Sequence, residues 1–176
     1  MKKQFLLLAM MLMPMVAGAE TVEIDGINYN LILKVKEAEV AKNYWSLDSI
    51  VIPASVTYDG IEYRVTCIGK YAFNSCVNLT SVTIPTSVTK IEDGAFESSG
   101  LTSVTIPNSV TSIGVGTFCG CQRLTSITIP NSVTRIGEGA FQDCCSMITV
   151  TIPGSVTTRR SRKPCKPCNT SRVSKK

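Results

Sequence analysis

Apolar residues recur in one fixed order between Leu79 and Pro153. The phrase LTSVTIPTSVTKI begins at Leu79, LTSVTIPNSVTSI at Leu101, LTSITIPNSVTRI at Leu124 and MITVTIPGSVTT at Met147. The Ile-Pro pairs end at Pro85, Pro107, Pro130 and Pro153, in steps of 22, 23 and 23 residues. A repeat of this length predicts a stack of equivalent units, because one unit cannot bury its own apolar face. In the third unit the inward candidates are Leu124, Ile127, Ile129, Val133, Ile136, Ala140 and Phe141.

Each unit reads as one turn of a coil. Ile127-Thr128-Ile129 alternates apolar and polar with β-branched residues, the pattern of a strand with one buried face. Pro130 cannot donate a ladder hydrogen bond and ends that strand. Asn131-Ser132 turns the chain into a second short extended piece, Val133 to Ile136, and Gly137 and Gly139 bend it again into a turn or single helical turn carrying Ala140 and Phe141. The fold predicted is a β-rich leucine-rich-repeat solenoid, with coils of about 23 residues stacked into a parallel sheet. A degenerate unit, LDSIVIPASVT, starts at Leu47, so about five coils over residues 47–157 span roughly 24 Å at a strand spacing of about 4.8 Å. The unit Leu79 to Gly100 is one residue short between Phe96 and Leu101, which predicts a local adjustment of the turn beside an unbroken sheet.

The first unit carries nine extra residues in VTYDGIEYRVT, where Asp59-Gly60 is a strong two-residue hairpin signal. This predicts a hairpin insertion at 57–65. Asp25-Gly26 in VEIDGINYNL makes the same signal, so residues 20–46 read as a β-hairpin N-terminal cap over the first coil. Lys2 and Lys3, the apolar run Phe5 to Met13 and the small residues Ala17-Gly18-Ala19 read as a secretory signal peptide, residues 1–19, cut before Glu20. The run is too short to span a bilayer, so no membrane span is expected.

The phrase L-T-S-V-T-I-P-x-S-V-T-x-I-G-x-x-A-F-x-x-C resembles the bacterial surface leucine-rich repeats of the BspA-like family, also called the Treponema pallidum type, over roughly Leu47 to Thr157. The resemblance implies a secreted or surface-displayed binding protein, in some members an adhesin for host matrix proteins or other bacteria, and it implies no catalytic residues. The residues themselves offer a candidate binding face on the polar side of the stacked strands. Ser81 and Thr83, Ser103 and Thr105, Ser126 and Thr128, and Thr149 and Thr151 align across coils as an uncharged surface of hydroxyls, suited to a protein or glycan ligand. The same residue types also suit strands for their own sake.

Composition narrows the chemistry. The chain has no histidine, so Ser/His and Cys/His nucleophiles are excluded, and its acids are scattered singly. No enzyme, cofactor or metal is expected. The net charge of +5 divides unevenly: residues 20–158 hold 8 Lys and Arg against 13 Asp and Glu, a net of −5, whereas residues 159–176 hold 8 Lys and Arg and no acid. The repeats thus lack the basic face that specific nucleic-acid binding needs. Cys76, Cys121 and Cys144 fall three residues after Phe73, Phe118 and Phe141, with Ser99 in the same place after Phe96, which predicts a buried column of small side chains; disulfides are the alternative. Cys165 and Cys168 form a C-x-x-C without a redox scaffold or further zinc ligands.

The repeat pattern fails at Arg159 and Arg160, and residues 158–176 read as a basic disordered tail. That leaves the last coil uncapped, with Ile152 and Val156 partly exposed, and predicts self-association there. Two further readings stand beside the interaction protein: a truncated or frameshifted repeat protein without function of its own, and a basic-tail effector that binds anionic polymers.

Overall fold

The structure, a computed structural model, describes residues 20–44, 48–159 and 172–175. Every regular element among them is a β-strand. Residues 1–19, expected as the signal peptide, and the Cys165/Cys168 pair lie outside the described residues.

The cap consists of β1 (Glu20–Ile24), β2 (Ile27–Ile32) and β3 (Glu37–Val40). β1 and β2 pair antiparallel, with Glu20 opposite Leu31 and Ile24 opposite Ile27. Asp25 and Gly26 join them with φ of 51° and 77°, a turn whose twist matches that of a hairpin. β3 continues the antiparallel order beside β2. Period-2 alternation sends Tyr29, Leu31, Ala38 and Val40 inward, where they close the apolar end of the coil stack.

The first coil holds β4 (Ser49–Val51), β5 (Ser55–Tyr58) and β6 (Ile61–Ile68). β5 and β6 form an antiparallel hairpin about Asp59 and Gly60, at φ of 49° and 73°. β6 also pairs parallel with β3, through a bulge between Ala38 and Glu39, and so joins the cap to the repeats. Each later coil has a short first strand and a two-residue second strand: β7 (Ser81–Thr83) and β8 (Lys90–Ile91), β9 (Ser103–Thr105) and β10 (Ser112–Ile113), β11 (Ser126–Thr128) and β12 (Arg135–Ile136), β13 (Thr149–Ile152) and β14 (Thr158–Arg159). A last strand, β15 (Arg172–Lys175), follows. The second strands form one continuous parallel ladder, β6-β8-β10-β12-β14, with Ile68, Ile91, Ile113 and Ile136 stacked in register and buried.

Beyond the second strand the chain turns through positive φ at Tyr71, Gly94, Gly116 and Gly139, and again at Ser75, Ser98, Gly120 and Asp143. These turns drop Phe73, Phe96, Phe118 and Phe141 into a column, with ring centroids 5.4, 5.4 and 5.7 Å apart and planes within 13° of parallel. Beside it runs the expected small-residue column. Cys76, Ser99, Cys121 and Cys144 are buried, Cys76 and Cys121 are free thiols, and Cys121 Sγ lies 3.3 Å from Ser99 Oγ. Cys121 and Cys144 donate to the Phe96 and Phe118 carbonyls at 3.0 and 3.1 Å.

One expectation is corrected. The first-strand sheet is not continuous: β4 pairs with β7, and β9, β11, β13 and β15 form a second sheet in that order, but no ladder joins β7 to β9. The gap falls at the short unit. With one residue fewer, the chain cuts the corner at Gly100, whose N–H donates to the Cys76 carbonyl at 3.1 Å and whose position leaves no room for a Cβ beside the Val77 carbonyl. β9 therefore reaches β7 through the Thr102 N–H to Thr80 carbonyl bond, 3.1 Å, without a registered ladder after it. Within residues 158–176 the described residues form two short strands. β14 pairs with β12, and β15 pairs with β13 from Thr149↔Arg172 to Ile152↔Lys175. Ladder bonds are made by the backbone, so a basic segment poor in apolar side chains can still add a rung. Ile152 is 5% exposed and Val156 is partly buried against the core.

Candidate functional site

The first strands present two rows of hydroxyls outward. Each three-residue strand β7, β9 and β11 has an exposed, buried, exposed pattern, so Ser81 and Thr83, Ser103 and Thr105, and Ser126 and Thr128 face solvent while Val82, Val104 and Ile127 face the core. Thr151 on β13 is also exposed. Parallel register places Ser103 and Ser126 in one row, with the backbone of Thr149 aligned beside them, and Thr105, Thr128 and Thr151 in the next. Strand geometry spaces such a lattice at about 4.8 Å across strands and about 6.7 Å along them. Ser81 and Thr83 are not part of it: they pair with Ser49 and Val51 across β4, on the far side of the sheet gap. Val51, 71% exposed, makes that smaller patch partly apolar.

The stacking itself uses other hydroxyls. Thr80, Thr102 and Thr125, just ahead of the strands, donate to the Asp48, Thr80 and Thr102 carbonyls of the preceding coil at 2.9, 3.2 and 3.1 Å. Thr89, Thr111, Thr134 and Thr157 do the same on the second ladder. Ser132 and Ser155 reach the Val110 and Val133 carbonyls at 2.8 and 2.9 Å. Ser87 holds the equivalent place in the second coil, and its buried Oγ has no partner among the described residues. By contrast, the hydroxyls of Ser103, Thr105, Ser126, Thr128 and Thr151 make no side-chain hydrogen bond among the described residues. Each therefore exposes its donor and its lone pairs to solvent.

The second ladder carries charge that sequence spacing did not reveal. Register aligns Glu39 with Cys67 and Cys67 with Lys90, and one ligand atom each from Glu39, Cys67 and Glu92 lies within 4.8 Å of the others. Lys90 Nζ pairs with Glu92, and Asn30 donates to Glu39 at 3.2 Å. Burial, then the Glu39 and Glu92 carboxylates, push the Cys67 thiol up to about 12, so it stays protonated and is a poor nucleophile. Burial likewise raises Cys76 and Cys121. Beside this cluster a groove of about 440 Å³ crosses three coils between Lys90, Glu92 and Asp93 at one end and Arg135 and Glu138 at the other. Gly114 and Gly137 line it, each so close to the preceding coil that a Cβ would meet its backbone. Among the described residues no helix is long and apolar enough to cross a membrane.

Coils of 22 to 23 residues, parallel first and second strands and a phenylalanine column define a leucine-rich-repeat β-solenoid. The BspA type leucine rich repeat region matches residues 37–162 in six copies, and the chain belongs to that family. Among solved structures, a leucine-rich repeat protein from Bacteroides capillosus is 26% identical, with a TM-score of 0.52 over 89% of this chain and 98% of that one. The T. pallidum leucine rich repeat protein is 23% identical, with a TM-score of 0.58 over 76% of this chain and 72% of that one. The pneumococcal vaccine antigen PcpA shares the fold at 19% identity and a TM-score of 0.61; the match covers 79% of this chain and 45% of PcpA. No curated protein matches the sequence.

Proposed function

We propose that this is a non-enzymatic interaction protein of the bacterial exterior that binds a protein or glycan ligand through the hydroxyl lattice of β9, β11 and β13. The observation that carries the reading is the division of labour among the hydroxyls. Those at Thr102, Thr125 and Ser132 are consumed by coil stacking, whereas Ser103, Thr105, Ser126, Thr128 and Thr151 are exposed and unspent. A flat, uncharged array of donors and acceptors on a rigid parallel sheet suits sugar hydroxyls or the backbone of an extended peptide. Ser81 and Thr83 contribute a separate, smaller patch. Export to the exterior rests on the signal-peptide pattern of residues 1–19, and in an adhesin the lattice would be the adhesive surface.

The test is ligand capture on a panel of extracellular-matrix proteins and a glycan array. Two lysines introduced together, Thr105→Lys and Thr128→Lys, place adjacent bulky charges at the centre of the lattice without touching the core. Capture is expected to be lost while the melting temperature stays within a few degrees. Unchanged capture by the double variant would refute the assignment of this face.

A further inference from the structure

The turn that closes the first coil carries exposed aromatic and cationic side chains that neither the stacking nor the hydroxyl lattice uses. Tyr44 is 78% exposed, with Lys42 Nζ 5.2 Å from its ring centroid. Tyr71 is 40% exposed, with Lys70 Nζ 5.3 Å from its ring. The two stretches lie on neighbouring layers, since the Asn43 N–H donates to the Ala72 carbonyl at 2.7 Å. Asn43 is buried and fixes the outer layer: its amide donates to the Ala41 carbonyl at 2.8 Å and its Oδ1 accepts the Asn28 N–H at 2.9 Å. The platform is therefore anchored to the cap.

Tyr71 stands in a strained conformation. Its φ is 56°, and the same place in the next three coils is held by Gly94, Gly116 and Gly139. A left-handed backbone costs a bulky residue energy that glycine does not spend. The ring rests over Gly94, where a Cβ would strike it, and the residue stays 40% exposed with the Lys70 ammonium over the ring. Strain kept at one coil while three use glycine points to a task for the side chain. An exposed tyrosine face stacks on the C–H face of a pyranose ring, and an ammonium about 5 Å away is placed to meet a carboxylate or sulfate on the same sugar. Two acids beside this turn already accept hydrogen bonds within the chain. The Asp93 side chain accepts the Val115 N–H at 2.7 Å, and Glu97 accepts from Asn74 at 3.3 Å.

We propose that Lys42, Tyr44, Lys70 and Tyr71 form a second binding site, for an acidic glycan, at the corner of the coil away from the hydroxyl lattice. The test titrates the full chain with three oligosaccharides: a hyaluronan octasaccharide carrying carboxylates, a heparin octasaccharide carrying sulfates, and neutral maltoheptaose. Trp45, the single tryptophan and the neighbour of Tyr44 in sequence, serves as the fluorescence reporter beside calorimetry. At least one acidic probe binds, more weakly as salt is added, and the neutral one does not. Tyr44→Ala and Tyr71→Gly each weaken binding about tenfold, as the loss of one stacking contact implies. Tyr71→Phe keeps the ring and binds as the wild type, and the Thr105→Lys, Thr128→Lys double variant also binds normally. Tyr71→Gly suits the backbone, so a circular-dichroism spectrum like that of the wild type accompanies its loss of binding. Failure of both acidic probes to bind overturns the proposal. So does equal binding of maltoheptaose, wild-type affinity in Tyr44→Ala and Tyr71→Gly, or loss of binding in the lattice variant.

Discussion

Replacing Phe96 separates what the phenylalanine column contributes by stacking from what it contributes by burial. Phe96 is fully buried between Phe73 and Phe118, each with its ring centroid 5.4 Å away. Phe96→Ala removes the ring and leaves a cavity, at a cost of about 3–5 kcal/mol. That is a large share of the roughly 5–15 kcal/mol a domain has available. Phe96→Leu keeps most of the apolar volume but forfeits two ring pairs, each worth about 0.5–1.5 kcal/mol beyond burial. Phe73 is the natural control, because it is equally buried but stacks on one ring, Phe96, with the cap on its other side. Phe96→Leu should therefore cost more than Phe73→Leu by about 0.5–1.5 kcal/mol. Urea unfolding followed by circular dichroism measures both, and the comparison holds if the m-values agree. Equal costs for the two leucine variants would refute a stacking contribution and leave the column as simple apolar filling.

Gly100→Ala should destabilise by about 1–3 kcal/mol or more, because its Cβ meets the Val77 carbonyl and backbone cannot rotate away; thermal unfolding checks this. Ser132→Ala removes a 2.8 Å inter-coil bond and should cost about 1 kcal/mol, whereas Thr128→Val on the outer face should stay within about 0.5 kcal/mol; matched denaturation curves compare them. Alkaline pH should also weaken the fold. Burial, first, and Asp25 raise Tyr29 to about 12, and Cys67 is raised as far. Both groups are neutral when protonated, so the folded chain holds these protons more tightly than the unfolded one. Stability is then full below about pH 9 and declines as pH rises toward 12. Denaturation midpoints across that range should fall less steeply in Cys67→Ser, and an unchanged slope would count against burial of the thiol.

Much of this architecture is legible in the repeated phrase, and the exceptions have local causes. The spacing from Phe to Cys places Cys76, Ser99, Cys121 and Cys144 in one column, because identical offsets in a solenoid stack directly. The sheet gap was not legible, since a missing residue after Phe96 does not reveal whether turn or strand will absorb it. β15 was hidden because side-chain composition says little about backbone pairing. The lattice residues could be named from alternation, but Thr102 and Ser103 look alike in sequence; only the coil's geometry turns the first toward a neighbouring carbonyl and the second toward solvent. Glu39, Cys67 and Glu92 meet only through the register of three strands, and Cys67 occupies no repeating position that would mark it.

The hydroxyl-to-carbonyl bonds between later coils join residues 21 to 25 apart, from Ser109 and Val88 to Thr117 and Glu92. Each new coil thus closes a loop of nearly the same modest length, and the entropic toll does not grow as the stack lengthens. The first coil is the exception: its hairpin stretches the equivalent bond from Thr80 to Asp48 to 32 residues. Assembly should be slowest there and quick afterwards, zipping from the cap toward the C-terminus in the order in which the chain is synthesised.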